Sequence, residues 1–184
     1  MAAGWKEIGH VNPPTFQLRR LRADDEAAVL AFELENRGYF SRYINDRGDE
    51  FFERFSDRHR TCIDEQVAGD RIFHVLVEPG GAVIGRVNLF DVERRSATLG
   101  YRIAERVAGR GVATAAVLEV IALARERYGL ELLRARVADA NGSSRRVLEK
   151  AGFEAVGATE LNGEPATTYE RELRDVSGLT PAQR

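Results

Sequence analysis

Cysteine is almost missing from this chain: Cys62 stands alone among 184 residues. A single thiol forms no internal disulfide and no cysteine cluster for zinc, which fits a reducing compartment and sets the expectation of a cytoplasmic protein. Histidine is scarce too. Three isolated residues carry no ligand spacing, so no metal site is expected. Charge of one sign is lacking as well, with a net charge of −2. Nucleic-acid binding rests on Lys and Arg neutralising phosphates, and here there is no cationic excess to supply that field. The opening MAAGWKEIGHVNPP has no apolar h-region, and no uninterrupted apolar run is long enough to span a bilayer, so no membrane partner is expected.

What is present is the composition of a folded domain, 43% hydrophobic and 30% charged. The length suits one domain with a sizeable core. The boundaries read as a Gly/Asn/Pro-containing lead-in over 1–14, anchored by Trp5, a folded domain over 15–174, and a polar tail over 175–184 that frays.

Phe16 to Arg22 alternates apolar and charged residues as a first strand. Ala23 to Glu26 opens a helix, with Asp24 as the expected cap and Ala27, Leu30, Ala31 and Leu34 at helical spacing up to Asn36 and Gly38. The following stretch, RGYFSRYINDRGDEFF, reads as a loop or broken helix before a second helix from about Asp49 to Ala68. Its aromatic residues, among them Tyr39, Phe40 and Tyr43, can line an acceptor groove, although aromatics beside a helix are more often core. Two β-branched runs from Ile72 and Ala82, separated by Pro79-Gly80-Gly81, form an antiparallel hairpin. A turn over Asp91 to Arg95 then leads to SATLGYRI, completing a meander.

That meander delivers the chain to its most informative stretch, ATLGYRIAERVAGRGVATAA, Ala97 to Ala116. A strand runs into a glycine-rich bend and then into a long helix that ends near Tyr128-Gly129. Such a bend exposes backbone N–H groups at a helix N-terminus, where the macrodipole favours an anion, so it suits a phosphate or pyrophosphate. A Walker A loop is excluded because no lysine follows Gly109-Arg110-Gly111. A dinucleotide motif is disfavoured because its third glycine falls on Thr114 and the bend follows an antiparallel meander. LELLRARV is the next strand, and after it Asn141 and Ser143 can cap a short helix that stops at Gly152. Phe153 to Ala158 and Pro165 to Leu173 read as two last strands.

Arg106-Val107-Ala108-Gly109-Arg110-Gly111 resembles the Q/R-x-x-G-x-G/A signature of the GNAT N-acetyltransferases, and the preceding LGYRI resembles their fourth strand. VADANGSSRRVLEKAGF, Val137 to Phe153, is similar to the N-x-x-S…L-E-K-x-G-F block of the ribosomal-protein alanine N-acetyltransferase (RimJ/RimL-like) branch. The resemblance covers Phe16 to about Leu173. It implies an α/β GNAT acyl-CoA N-acyltransferase fold: a mixed, mostly antiparallel central sheet with helices on both faces, splayed at strands four and five. It also implies acetyl-CoA as cosubstrate, no metal, and an amine acceptor. That acceptor is either a protein N-terminal α-amine or a small molecule such as an antibiotic or a polyamine. Relatives commonly dimerise, so a homodimer is an expectation by resemblance alone.

By the same resemblance, backbone N–H groups from Arg106 through Val107, Gly109, Arg110, Gly111, Val112 and Ala113 hold the coenzyme pyrophosphate, with Arg106 and Arg110 adding charge. Tyr101, Arg102 and Ile103 border the pantetheine arm at a bulge, where a freed N–H can stabilise the thioester oxyanion. Asn141 contacts the pantetheine or caps the helix. The tyrosine that serves many GNAT enzymes as acid is replaced at its position by Leu148, and Ser144 is the candidate acid in its place. Glu93 is the candidate base, with Asp91 and Glu105 as other carboxylates near the expected cleft. His59 and His74 read as structural. Two rival readings are a non-catalytic acyl-CoA-binding domain, suggested by the missing tyrosine, and more distantly a Rossmann-type oxidoreductase.

Overall fold

Seven strands form one sheet in the computed structural model, which describes residues 15–173. The lead-in with Trp5 and the fraying of the tail lie outside the described residues. The strands are β1 (Gln17–Arg20), β2 (Ile72–Val77), β3 (Val83–Glu93), β4 (Ser96–Ile103), β5 (Leu132–Ala138), β6 (Glu154–Leu161) and β7 (Glu164–Glu172), in the order β1-β2-β3-β4-β5-β7-β6. Neighbours are antiparallel except β4 and β5, which run parallel as a helical crossover between them requires. The Pro79-Gly80-Gly81 hairpin is formed, with Gly81 at φ 86°. The next turn is tighter than expected. β3 runs on to Glu93, and Arg94 and Arg95 alone make the turn, both at positive φ (46° and 62°).

Six α-helices lie among the described residues: α1 (Glu26–Glu35), α2 (Arg37–Phe40), α3 (Asp49–Glu53), α4 (Phe55–Ala68), α5 (Val112–Glu126) and α6 (Gly142–Lys150). The expected cap at Asp24 is corrected to its neighbour. Asp25 is buried, its carboxylate accepts from the Arg22 N–H at 2.8 Å, and it pairs with the Arg19 guanidinium. The expected helix over 49–68 is two helices, because Arg54 leaves the helical region (φ −102°, ψ 23°). That break packs Phe51 edge-on to Phe55 with ring centroids 5.8 Å apart.

Strand parity decides what each face meets. Arg86 of β3 and Arg102 of β4 stand opposite each other, and both reach Glu33 of α1. On the other parity, His74 of β2 meets Tyr128 just beyond α5, and Tyr101 of β4 meets Ser144 of α6. Helices therefore cover both faces, and β2, buried through most of its length, is apolar almost continuously. α5 turns Val112, Ala116, Val117, Val120, Ile121 and Ala124 into the core. No helix among the described residues is long and apolar enough to cross a membrane.

The sheet opens between β4 and β5. Only Ser96, Ala97 and Thr98 pair with Leu132, Leu133 and Arg134, after which β4 continues to Ile103 paired with β3 but not with β5. The expected bulge at Tyr101–Ala104 is absent: β4 stays in unbroken register with β3 from Thr98 to Ile103. Divergence of two twisted strands opens the V, and the irregularity in β3–β4 pairing lies instead between Phe90 and Glu93.

Candidate active site

The glycine bend sits at the mouth of this V. After a tight helical turn, Glu105–Val107, the chain passes through Gly109 (φ 74°) and Gly111 (φ 80°) into α5. Both angles lie in the left-handed region, which glycine enters without a Cβ penalty. A Cβ at either position would meet nothing within 4 Å, so both glycines border open space. Ala115 N–H already bonds Gly111 O at 3.0 Å, which leaves the N–H groups of Val112, Ala113 and Thr114 as the unpaired first turn of α5. Together with the macrodipole they form an anion cradle. The bend is braced from behind by buried Asn36, whose Oδ1 accepts from Glu105 N–H at 2.9 Å while its Nδ2 donates to Phe32 O at 2.8 Å.

The free edge of β4 supplies a second set of backbone groups. Ala104 N–H donates to Ile84 O at 2.9 Å, and antiparallel alternation then gives β3 the polar groups of residues 102, 100 and 98. The N–H and C=O of Tyr101 and Ile103 therefore point into the V. They are free to pair with an extended amide-bearing chain or to stabilise an oxyanion.

The third component is the start of α6. Asn141 Oδ1 accepts from Ser144 N–H at 3.0 Å and from the Ser143 hydroxyl at 2.8 Å, so Asn141 is the helix cap. This fixes Ser144 in the first turn, where its Oγ lies 2.7 Å from the Tyr101 hydroxyl. That hydroxyl can also donate to Ser144 O at 3.2 Å. Burial pushes the Tyr101 phenol up to about 12, against the opposing hydrogen bond to Ser144.

These pieces border a groove of about 470 Å³. Its lining joins Tyr101, Ile103, Val107, Gly109, Gly111 and Ala113 with Asn141 and Ser144, all expected from the sequence. Val112, also expected there, is buried and does not line the groove. Sequence reasoning missed Thr114, Arg146 and Lys150. The two cations stand four residues apart on one face of α6, a spacing that could have signalled them. The aromatics divide: Tyr39, Phe40 and Tyr43 line the groove, with Ile44 beside them, whereas Phe51 and Phe55 are core.

Other placements correct the expectations. Glu93 is exposed beside the β3–β4 turn, opposite Ser96 at the far end of β4 from Tyr101, which removes it as a base for this groove. Asp91 is exposed near the same end. Glu105 is exposed and pairs with Arg42. Arg106 makes a two-pronged ion pair with Glu78, at 2.7 and 3.0 Å, and neither it nor exposed Arg110 lines the groove. Arg102 gives its backbone to β3 and its side chain to Glu33, so it lines the groove from the α1 face and not from the side of Gly109 and Gly111. Leu148 is fully buried. His59 bonds Arg22 O and His74 bonds Val87 O and the Tyr128 hydroxyl, both structural roles. Among the described residues no three His, Cys, Asp or Glu side chains gather as a metal site.

An anion cradle at a helix start, beside a strand edge with free amides in a split sheet, is the architecture of one family. A family model for an acetyltransferase (GNAT) domain matches residues 15–154. The chain belongs to the GNAT family. The probable N-acetyltransferase YjcK of Bacillus subtilis (strain 168) is 31% identical over 154 residues, covering 80% of this GNAT chain and 85% of the relative. Among solved structures, the ribosomal-protein-S5-alanine acetyltransferase of Vibrio fischeri superposes with a TM-score of 0.81 at 21% identity, covering 87% of this chain and 94% of that one. The spermidine N-acetyltransferase of Vibrio cholerae, solved with CoA and spermine, superposes with a TM-score of 0.71 at 19% identity, covering 86% and 95%. This GNAT protein is an acetyl-CoA-dependent N-acetyltransferase. The two solved relatives share its fold and differ in acceptor.

Proposed function

We propose that this GNAT enzyme transfers the acetyl group of acetyl-CoA to the α-amine of a protein or peptide N-terminus. The observation that carries this reading is the charge of the groove wall on the acceptor side: among the described residues no carboxylate lines the groove, and the charged side chain there that is not beside the coenzyme cradle is Arg102. A cationic wall accepts no proton and repels a polycation. The acceptor must then arrive partly neutral, which an α-amine near pH ~8 does far more readily than a lysine-like amine near ~10.4.

The cradle from Gly109 to Thr114 suits the coenzyme phosphates, with Arg146 and Lys150 beside it, and the open space at both glycines is where a backbone-hugging anion fits. Acetyl-CoA supplies the activated acyl group as a thioester. Tyr101 and Ile103 offer N–H groups to its pantetheine arm and carbonyl oxygen from the free β4 edge, and Asn141 borders the same path. Arg102 belongs to the acceptor side in this reading, and Arg106 and Arg110 take no part. When the N–C bond forms and the C–S bond breaks, the amine loses its proton to solvent. Ser144 donates a proton to the departing thiolate, Tyr101 holds the serine oxygen by hydrogen bond, and solvent restores the serine.

Mass spectrometry after incubating the protein with acetyl-CoA and a mixed pool of peptides and small amines tests this. Acetyl adducts on peptide N-termini are expected; adducts confined to spermidine or aminoglycosides overturn it.

A further inference from the structure

On the α1 face of the V, one carboxylate serves three guanidinium groups. Glu33, whose side chain is 2% exposed, lies 2.9 Å from Arg102, 3.2 Å from Arg86 and 3.9 Å from Arg47. Arg86 and Arg102 are direct cross-strand neighbours, a placement that repels like charges. The cluster keeps two positive charges in excess, with side-chain exposures of 10% at Arg86, 23% at Arg102 and 34% at Arg47. Partly desolvated charge without a partner is costly, so such an excess calls for an anion.

Among the described residues no second carboxylate forms an ion pair with Arg47, Arg86 or Arg102. Asp46 and Asp49 are held by Arg37. Phe40 under Arg102 and Phe51 under Arg47 contribute ring quadrupoles and no net charge. Burial brings Arg47 down to about 10, and Arg102, Arg86 and Arg58 lower it further while Glu33 opposes. Buried Arg86 Nε has no hydrogen-bond partner.

Position gives this charge a use. Arg102 lines the main groove beside Phe40 and Ile44, and it also lines a small pit that Arg47 shares with Arg37, Glu33 and Asp46, three cations against two carboxylates. The pit holds about 20 Å³, room for one water-sized group, which a single carboxylate oxygen suits better than a phosphate.

We infer that the acceptor is an acidic one, whose carboxylate beside the reacting amine is read by Arg102 and Arg47. This rests on the peptide N-terminus reading and narrows it to chains with Asp or Glu next to the terminal residue.

The test uses the full chain and two matched peptides, Ala-Asp-Gly-Gly-amide and Ala-Asn-Gly-Gly-amide. Their acetylated forms serve as product-like ligands in calorimetry, which needs no turnover. The acidic peptide is expected to bind at least tenfold tighter and to have at least tenfold higher kcat/KM. Arg47→Gln is expected to narrow both ratios to about threefold or less, through KM and not kcat. Equal binding of the two peptides, or no binding of either, overturns the inference. Tighter binding of the acidic peptide with no acetylation of any acceptor leaves the inference standing and overturns the transferase reading for peptides.

Discussion

The Tyr101 hydroxyl and Ser144 Oγ lie 2.7 Å apart across the junction of β4 and α6. Leu148 is fully buried and carries no acid, and in the proposed mechanism the Tyr101–Ser144 pair protonates the departing thiolate. Removing either hydroxyl breaks the same unit. Ser144→Ala is expected to lower kcat about 100-fold, the lower end of general-acid contributions, with little change in KM for acetyl-CoA. Tyr101→Phe should cost somewhat less, and the double variant no more than Ser144→Ala alone. Because burial holds the Tyr101 phenol at about 12, it stays protonated through the alkaline range where the acceptor loses its proton. kcat should therefore rise with pH and show no falling limb below pH ~10. Steady-state kinetics on the three variants, with a pH profile of the wild type, check this. Additive losses in the double variant would separate the two hydroxyls.

The glycine bend can be disabled without disturbing the core. Gly109→Ala and Gly111→Ala place a Cβ in open space but at φ 74° and 80°, so the strain is about 1 kcal/mol each and the fold survives. The added methyl occupies the space where the phosphates would approach the backbone. Acetyl-CoA affinity by calorimetry should fall at least tenfold, with a change of only a few degrees in Tm. Unchanged affinity would move the phosphates elsewhere.

His74 makes the fold sensitive to acid. Burial lowers its imidazole to about 4 from the ordinary 6.5, although the Val87 carbonyl opposes. Between those values the unfolded chain binds a proton that the native state does not, so stability rises with pH across this window. His74's contribution is complete above pH 6.5 and is lost as the pH falls towards 4. The shift corresponds to about 3 kcal/mol. His74→Gln, whose amide can keep the bonds to Val87 and Tyr128, should be less stable at neutral pH and lose most of this slope. Urea unfolding at intervals between pH 7.5 and 4.5 measures both.

The strands and the donor loop were legible because their signals are local. The β-branched runs of β2 and β3, the Pro-Gly-Gly hairpin and the glycine bend ahead of a long apolar helix each lie within about twenty residues. Asn141 as cap and Ser144 three residues later follow from the same short-range geometry. The base was misread because nearness in sequence was taken for nearness in space. Glu93 is close to β4 along the chain, but it stands opposite Ser96, five residues before Tyr101, a distance of about 17 Å at ~3.4 Å per residue.

The residues alone therefore determine the family and single out the bend proposed to take the donor's phosphates, because a glycine bend, a cap and a run of alternating residues act within a few turns of backbone. Only the tertiary structure decides what the acceptor meets. Tyr101 and Ser144 are 43 residues apart, and Glu33 joins Arg47, Arg86 and Arg102 from a helix, a loop and two strands. Whether such side chains meet depends on strand register and on which face each one turns to. Shifting β4 by one residue would exchange Tyr101 for Arg102 and put the cation where the hydroxyl now stands.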